Sequence, residues 1–357
     1  MASGLIRALL LLLLMAGPAM AERLRIATYH TGLARDGPGL LLRDILRGKD
    51  PQIEAVLAVI STVRPDIILL LDFDFDLENH ALAAFRNALL ENGGPDYPYL
   101  FALPPNSGLA TGLDMDNNGR LNEPRDAQGY GRFSGQGAMA LLSRLPIERE
   151  KVRDFSALLW RDLPGALLPM QDGKPFLSPE ASAIQRLSSV GHWQVPVRLA
   201  DGRLLSLLAF HATTPVFDGP EDRNGRRNHD EVMFWSLLLD GALPFPAPEP
   251  PFVLLGDANL DPEAGEGLRS AITALLGHPS LQDPRPTSRG AAAVGKPTDT
   301  VDWDEPTPGN MRVDYVLPSA DIRILDSGVY WPAPGSEAGE VAATASRHRL
   351  VWVDLDF

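Results

Sequence analysis

Short apolar runs alternate with polar residues along the chain, and several runs stop at a side chain that can bind a proton or a metal. A continuous apolar run of about four to eight residues is typical of a strand buried on both faces. The predicted strands end at, or begin beside, His30, Asp72, His211, Asp257 and Asp314. Binding sites in open α/β sheets form beyond the strand ends. We therefore expect these side chains to share one site.

Helical spacing of apolar residues separates the first two predicted strands. Asp50 and Pro51 provide an N-cap and a first helical residue, and the pattern ends at Arg64-Pro65. Strand, helix and strand within about 50 residues predict a layered α/β fold. The same patterns predict helices over Glu78–Leu90, Asp230–Leu239 and Gly265–Leu276, and strands over Leu24–Tyr29, Ile67–Leu71, Ala138–Leu142, His192–Leu199, Leu204–His211, Val313–Leu317 and Leu350–Leu355.

The apolar run that starts at Phe252 ends in Gly256-Asp257-Ala258-Asn259. Residues two apart on an extended chain point the same way, so Asp257 and Asn259 share a face. An acid that anchors a water or a metal beside an amide that donates hydrogen bonds suits attack on phosphorus or on a carbonyl. Gly, Asp and Asn are also turn residues, and from these residues alone a plain turn is an equal alternative.

The first 21 residues are typical of a secretory signal peptide. Arg7 supplies a charged start, Ala8–Ala16 is apolar and rich in Leu, and Ala19-Met20-Ala21 is a small-x-small cleavage signal. We expect cleavage after Ala21 and a secreted or periplasmic protein. Residues 22–357 are predicted to form a single domain without a transmembrane segment, since they hold no apolar run of spanning length.

Amino-acid composition and net charge limit the kinds of site that the chain can form. The chain has no cysteine, which excludes thiol catalysis and thiolate metal sites and leaves oxygen and nitrogen ligands. The net charge is −14, which disfavours a stable complex with a nucleic acid because the phosphate backbone calls for a basic face. A nuclease that brings a divalent cation to its substrate is still compatible with this charge.

The ordered set of motifs resembles the endonuclease/exonuclease/phosphatase superfamily, which includes deoxyribonuclease I. The resemblance implies a four-layer α/β sandwich of two packed, mainly antiparallel sheets flanked by helices. It also implies a phosphoesterase that uses Mg²⁺ or Mn²⁺, with Ca²⁺ as a further option, on a small or polymeric phosphate ester. We expect the protein to be a monomer. The matching stretches are Arg25–His30, Pro65–Asp72, Ala209–His211, Gly256–Asn259, Val313–Leu317 and Ser346–His348, and secreted bacterial members are similar over Phe217–Glu231 and Arg312–Ser319.

Residue roles follow from the resemblance. Asp257 would orient or deprotonate the attacking water, and Asn259 would hold the nucleophile or a phosphoryl oxygen. His211 would hydrogen-bond the phosphate or assist the leaving group. Asp314 would support the phosphate or a second metal position, and His348 would stabilise the transition state or act as a base.

The metal side of the site departs from the family pattern at three positions. His30 stands where Asn is usual, Asp72 stands where the principal metal ligand Glu is usual, and Arg347 replaces an Asp. The resemblance makes Asp72, His30 and Asp257 the metal ligands, while Arg347 and Arg226 are candidates for binding an anionic substrate. Two alternatives remain: a catalytically impaired member that binds a phosphorylated ligand or partner, and a working enzyme in which His30 recruits Zn²⁺.

A second acidic motif lies at Asp114, Asp116 and Asn118, followed by Gly119. It matches the opening of a calcium loop, with oxygen ligands at the first, third and fifth positions. Arg125 occupies the place of the usual final Glu, and Asp126 or Glu123 would have to substitute. Bound Ca²⁺ and a plain polar loop are both compatible with the sequence.

Overall fold

The computed structural model describes residues 22–357, so the predicted signal peptide lies outside the described residues. Most strands belong to two large sheets. One has six strands in the order β12-β13-β1-β2-β4-β3, and the other has five in the order β11-β10-β9-β8-β5. The strands are β1 (Arg23–His30), β2 (Ile67–Phe73), β3 (Tyr99–Phe101), β4 (Ala138–Ser143), β5 (Arg153–Asp154), β6 (Met170–Gln171), β7 (Lys174–Pro175), β8 (Gly191–Arg198), β9 (Leu204–His211), β10 (Phe252–Asp257), β11 (Asp314–Pro318), β12 (Arg323–Tyr330) and β13 (Leu350–Asp356).

Both sheets are mainly antiparallel, and each contains one parallel pair. In the six-stranded sheet β1 runs parallel to β2, and in the five-stranded sheet β9 runs parallel to β10. Parallel neighbours end at the same edge of a sheet. The parallel pairs therefore carry His30 and Asp72 to one edge of the first sheet, and His211 and Asp257 to one edge of the second.

Helices cover the outer faces of the two sheets. Apolar residues of the first three helices pack on the six-stranded sheet, and those of the fifth and sixth pack on the five-stranded sheet. The helices are α1 (Leu40–Arg47), α2 (Pro51–Val63), α3 (His80–Glu91), α4 (Pro179–Ile184), α5 (Arg223–Leu239), α6 (Ser270–Leu276), α7 (Arg289–Val294) and α8 (Glu337–Ala345). Among the residues described, no helix is both long and apolar enough to cross a bilayer.

A third apolar layer lies between the sheets. Ile26 and Leu69 of the first sheet pack in one cluster with Leu207, Val253 and Leu255 of the second. Helix, sheet, sheet and helix make four layers, and the predicted fold class is confirmed. Burial on both faces explains why β2 and β10 read as continuous apolar runs in the sequence.

Several predicted boundaries shift. The helix expected from Glu78 starts at His80, because Glu78 and Asn79 have φ angles of 70° and 59° and cannot continue a right-handed helix. The helix expected from Asp230 starts seven residues earlier, at Arg223, and the one expected from Gly265 starts at Ser270. The elements without a counterpart among the sequence-based predictions are α1, α4, α7, α8, β3, β5, β6, β7 and β12.

Candidate active site

Strand register places three of the predicted site residues side by side. Asp257 is the last residue of β10, and it pairs with His211 on β9 and with Asp314 on β11. Paired residues on neighbouring strands point to the same face of a sheet. The carboxyl groups of Asp257 and Asp314 are fully buried, and His211 is 9% exposed.

The other sheet contributes two histidines. His30 is the last residue of β1, and His348 lies two residues before the neighbouring strand β13. Their imidazole rings stack with their centres 4.0 Å apart. Ser346 fixes this arrangement, because its hydroxyl donates to the His30 carbonyl at 2.7 Å and accepts from the His348 amide at 3.1 Å. The site is therefore assembled from both sheets.

Three imidazoles surround one carboxylate oxygen. Oδ2 of Asp257 lies 3.8 Å from Nε2 of His211, 4.0 Å from Nε2 of His30 and 4.0 Å from Nδ1 of His348. These distances are too long for hydrogen bonds. Among the described residues Oδ2 is buried without a hydrogen-bond partner, an arrangement that is costly unless a ligand satisfies the oxygen.

His348, Asp314 and Thr300 form a hydrogen-bonded chain. Nδ1 of His348 lies 2.9 Å from Oδ2 of Asp314, and the Thr300 hydroxyl donates to the same oxygen at 2.8 Å. Thr300 also accepts from the backbone amides of Val313 and Asp314. The carboxylate thus orients His348 and leaves its Nε2 as the nitrogen available for chemistry.

The three histidines of the site differ in the direction in which their surroundings shift their pKa values. Burial lowers the pKa of His211 to about 3, and it lowers the pKa of His30 well below its usual value, helped in both cases by the positive charge of His348. Burial would also lower the pKa of His348, but the carboxylates of Asp314, Asp257 and Asp72 together raise it. His348 is therefore the most basic of the three imidazoles, and the other two are neutral at pH 7.

The same burial makes Asp257 a stronger base than an ordinary aspartate. Desolvation and the neighbouring Asp314 carboxylate raise the pKa of Asp257 well above its usual value. A base with a raised pKa accepts a proton more readily in the transition state. This agrees with the role that the sequence predicts for Asp257, which stays a prediction.

Asp72 sits at a distortion of β2. The pairing of β2 with β4 shifts register between Leu70 and Phe73, and Asp72 has a φ of 54° inside this bulge. Its carboxylate lies against Gly137, where an added Cβ would be 2.6 Å from Oδ1. Burial, and then the charge of Asp74, raises the pKa of Asp72 to about 6.

Asn259 follows β10 in a left-handed conformation, with a φ of 48°. Its amide N–H donates to Oδ1 of Asp257 at 2.6 Å, and its side-chain nitrogen donates to the Ala212 carbonyl at 2.9 Å. The turn and the site that the sequence offered as alternatives are thus the same structure. Asn tolerates this conformation better than most residues because its short polar side chain can hydrogen-bond locally.

These residues lie at the base of one cleft of about 1110 Å³. His30, Asp72, His211, Asn259 and His348 line it, and the buried Asp257 and Asp314 lie behind the histidines. Its rim includes Tyr130 and Phe217, whose exposed fractions are 65% and 78%.

The two predicted substrate-binding arginines occupy different places. Arg347 lines the cleft, but its guanidinium is 2.5 Å from Asp304 at the exposed rim, so its charge is paired away from the buried acids. Arg226 is absent from the cleft lining and lies 3.9 Å from Asp222 on the same helix. The structure therefore does not bring Arg226 to the predicted site.

The structure brings part of the predicted calcium loop together. Oxygens of Asp114, Asp116 and Asp126 lie within 4.8 Å of one another, while Asn118 donates a side-chain hydrogen bond to Glu123. Asp126, one of the two residues predicted as substitutes, also accepts from the amides of Met115 and Glu123. Hydrogen bonds within the loop satisfy these carboxylates, so a polar loop and a Ca²⁺ loop both remain compatible with the structure.

Several buried polar residues support the site in a role that the sequence did not predict. Arg227 donates to the carbonyls of Gln128, Arg186, Leu187 and Ser188 and so holds together the segments behind the cleft. Its helix neighbour Glu231 accepts from the amides of Ser189 and Thr213, both of which line the cleft. Dense charge over Glu221–Glu231 was the available signal, but it is more typical of a solvated loop.

The donor atoms fit a divalent metal ion. One group of ligands consists of His30, His211 and Asp257, and a second consists of Asp257, Asp314 and His348, with ligand atoms within 4.8 Å of one another in each. In the second group the His348–Asp314 hydrogen bond already satisfies two of the three side chains. Asp72, predicted as a metal ligand, belongs to neither group, although its charge acts on both His348 and Asp257.

Solved structures of other proteins share the fold of this chain. A comparison with curated proteins found no match. Similar solved structures include an endonuclease/exonuclease/phosphatase from Beutenbergia cavernae DSM 12333, with 19% identity, a TM-score of 0.54, and coverage of 94% of this chain and 72% of that one. Family proteins from Leptotrichia buccalis C-1013-b (15% identity, TM-score 0.52, coverage 94% and 100%) and Bacteroides thetaiotaomicron (13%, 0.51, 95% and 99%) share the fold as well.

One family model matches most of this chain, that of the Endonuclease/Exonuclease/phosphatase family, whose members hydrolyse phosphate esters. It covers all of the predicted strand-end residues except His30. It matches residues 43–348, which include Asp72, His211, Asp257, Asp314 and His348. The chain therefore belongs to the endonuclease/exonuclease/phosphatase family.

Proposed function

We propose that this chain is a divalent-metal-dependent phosphoesterase that hydrolyses a phosphate ester by in-line attack of water. The observation that carries the proposal is the unpaired, buried Oδ2 of Asp257, surrounded by three imidazoles at the base of the cleft. A water or a metal ion at this point would satisfy the oxygen. Family membership supplies the reaction class.

The residues divide the chemistry among themselves. Asp257 accepts a proton from the attacking water as the new bond to phosphorus forms and the bond to the leaving oxygen breaks. Protonated His348, held by Asp314, stabilises the negative charge on the phosphoryl oxygens. The Asn259 side chain positions the phosphate and the water, while the Nε2 of neutral His211 is available as a ligand of an ion.

His30, His211 and Asp257 are the residues that would hold a divalent ion, with Asp72 close by. Such an ion supplies positive charge that polarises the phosphoryl oxygens. The resemblance predicts Mg²⁺ or Mn²⁺, with Ca²⁺ as a further option.

Phosphatase and phosphodiesterase substrates test this proposal directly. We expect p-nitrophenyl phosphate or bis-p-nitrophenyl phosphate to be hydrolysed in the presence of one of Mg²⁺, Mn²⁺, Ca²⁺ or Zn²⁺. Asp257→Asn should reduce the rate by about a thousandfold or more, as loss of a base and a charge from one site would. Asp201→Asn, on an exposed turn, is the matched control and should keep full activity. Equal rates for wild type and Asp257→Asn with every ion would refute the proposal.

The lining of the cleft favours an ester of low charge over a polynucleotide. Its two arginines are paired, Arg132 with Asp36 and Arg347 with Asp304, while Tyr130 and Phe217 expose aromatic surface at the rim. A nucleic acid would need unpaired cations along its backbone, and its binding would weaken steeply with salt. We therefore expect bis-p-nitrophenyl phosphate hydrolysis to be insensitive to added NaCl and to exceed cleavage of plasmid DNA. Faster, strongly salt-dependent cleavage of DNA would contradict this substrate class.

The alternative function is a family member that binds a phosphorylated ligand without turning it over. Its support is the shorter reach of Asp72, because aspartate is one methylene shorter than the glutamate usual at this position. Asp72→Glu separates the two functions. A rise in turnover from near zero to a measurable rate would favour the binding protein, whereas a fall would show that aspartate belongs to a working site.

Export and domain organisation remain proposals that rest on the sequence. Cleavage after Ala21 would release residues 22–357 as one secreted or periplasmic domain, which we expect to be monomeric. N-terminal sequencing of the protein from fractionated cells tests the cleavage site. An intact start at Met1 in the cytoplasmic fraction would exclude it.

A further inference from the structure

We infer that the active site selects a nitrogen-binding transition-metal ion of the zinc type over Mg²⁺ and Ca²⁺, and that His30, His211 and Asp257 bind it. The inference deepens the proposed function, on which it rests for the place of the ion. It departs from the Mg²⁺ or Mn²⁺ that the family resemblance predicts. The reason is the chemistry of the donor atoms in this chain.

Spacing is the first argument. Two ligands that are each about 2.1 Å from one ion are at most about 4.2 Å apart. Nε2 of His30 and Nε2 of His211 lie 4.0 Å and 3.8 Å from Oδ2 of Asp257. Both distances exceed a hydrogen bond and fit a shared ion.

The unpaired carboxylate oxygen is the second argument. Asp257 is fully buried, and within the part of the chain that the structure describes its Oδ2 has no hydrogen-bond partner. A buried charged oxygen is retained only when a partner offsets its desolvation. The three imidazoles are placed around this oxygen but do not bond to it, which leaves a position for a cation between them.

Ligand type is the third argument. Imidazole suits zinc and other late transition metals, whereas Mg²⁺ and Ca²⁺ bind oxygen almost entirely. Two imidazoles and one carboxylate are also a common set in catalytic zinc sites, which keep a further position open for water or substrate. Asp72, the oxygen ligand expected from the family, is outside the group. The group formed by His30, His211 and Asp257 is thus richer in nitrogen than in oxygen ligands.

The neighbouring His348 does not compete for the ion through Nδ1. That atom is already within hydrogen-bond distance of Asp314, which in turn is bound by Thr300. The ion and the hydrogen-bonded chain can therefore coexist on either side of Asp257.

Metal retention tests the inference without measuring activity. Purified protein is stripped with a chelator, loaded with Zn²⁺, and dialysed against a large excess of Mg²⁺. We expect about one zinc per chain to remain. His30→Asn should weaken zinc binding by at least about 100-fold, the upper end of what loss of a mere supporting residue costs. The control is His80→Asn on an exposed histidine, which should retain zinc like the wild type.

A spectroscopic readout protects the test against misfolded variants. Co²⁺ added to the stripped wild type should give a strong visible absorption band, which is typical of four or five ligands that include nitrogen, and Zn²⁺ should abolish it. A weak band typical of six oxygen ligands, or displacement of Zn²⁺ by Mg²⁺, would overturn the inference. Equal zinc retention by folded His30→Asn and wild type would do the same.

Failure of this inference is distinguishable from failure of the proposed function. Hydrolysis supported by Mg²⁺, together with no retained zinc, would keep the phosphoesterase and reject the zinc site. Zinc bound through His30, together with no hydrolysis of any phosphate ester, would keep the metal site and reject the phosphoesterase.

Discussion

At the level of single residues, Asp72 and Gly137 approach each other closely in the cleft lining. Gly137 has a φ of 61°, and a Cβ there would lie 2.6 Å from Oδ1 of Asp72. Gly137→Ala should therefore destabilise the fold by about 1 kcal/mol through its backbone conformation and also displace the carboxylate. We expect phosphoesterase activity to fall at least about tenfold, because small displacements at a reacting centre are costly.

The matched control is Gly165→Ala. Gly165 has a φ of 77°, and a Cβ there would meet no atom within 4 Å. It reproduces the backbone strain without the contact to Asp72. Thermal unfolding and activity are measured on both variants, and a similar loss of activity in the two would show that the contact with Asp72 is unimportant.

His192 predicts a specific dependence of stability on pH. It is 1% exposed, its Nε2 donates to the Glu231 carbonyl, and burial lowers its pKa to about 4. Because the unfolded chain binds a proton near pH 6.5, the stabilisation is complete above that pH and is lost as the pH falls towards 4. Between pH 7 and 5 this residue alone should cost about 2 kcal/mol.

Urea unfolding of wild type and His192→Gln at the two pH values measures this cost. The variant should be less stable than wild type at pH 7 but should lose less stability on acidification. An unchanged pH dependence would show that His192 is not neutral in the folded protein.

At the level of elements, the first turns of α5 hold the loops behind the cleft in place through buried hydrogen bonds. Arg227 is 4% exposed and donates to four backbone carbonyls, whereas its neighbour Arg226 is only half-buried and lies near Asp222. Removing one partner of a buried charged network is among the most damaging single substitutions.

Arg227→Met should therefore lower the free energy of unfolding by about 3 to 5 kcal/mol. Arg226→Met should change it by less than about 1 kcal/mol and should leave KM unaltered, since Arg226 does not line the cleft. Chemical denaturation and steady-state kinetics separate the two. A raised KM in Arg226→Met would restore this arginine to the substrate site that the sequence predicts for it.

The sequence predicted the strands that are continuous apolar runs and missed elements that lack such a run. The strands β2 and β10 are apolar on both faces, and their ends were visible because polar residues follow abruptly. The edge strand β12 reads RILDSGVY and buries only Gly328 and Val329, so it carries no comparable apolar run. The helix α5 begins with Arg, Asn and Gly, which suggest a loop unless their buried hydrogen-bond partners are known.

The same contrast holds within the site. His30, His211, Asp257 and Asp314 could be proposed because each ends or begins a predicted strand. Thr300 could not, because it lies in an irregular segment and reaches Asp314 only through tertiary packing. The direction of Arg347 was equally inaccessible, since its partner Asp304 is 43 residues away.

At the level of the whole molecule, ion binding should be visible as stability. An ion that binds only the folded state stabilises it by about 3 kcal/mol at a hundredfold excess over Kd. Removal by a chelator should therefore lower the Tm of the wild type, and re-addition should restore it. Asp257→Asn should show little response to either step. A wild-type Tm that ignores chelator would indicate that no ion is bound in the folded protein.

The two halves of the active centre belong to different sheets. His30 and Asp72 belong to strands of the six-stranded sheet, while His211 and Asp257 end strands of the five-stranded sheet. Their separation is set by the side chains of the apolar layer between the sheets, such as Leu71 and Leu255. That layer therefore fixes the distance between the two halves. Sliding one sheet by about 1 Å would reduce the rate about 100-fold while leaving the fold in place. The packing of the apolar core therefore decides how well the two halves of the proposed active site are aligned.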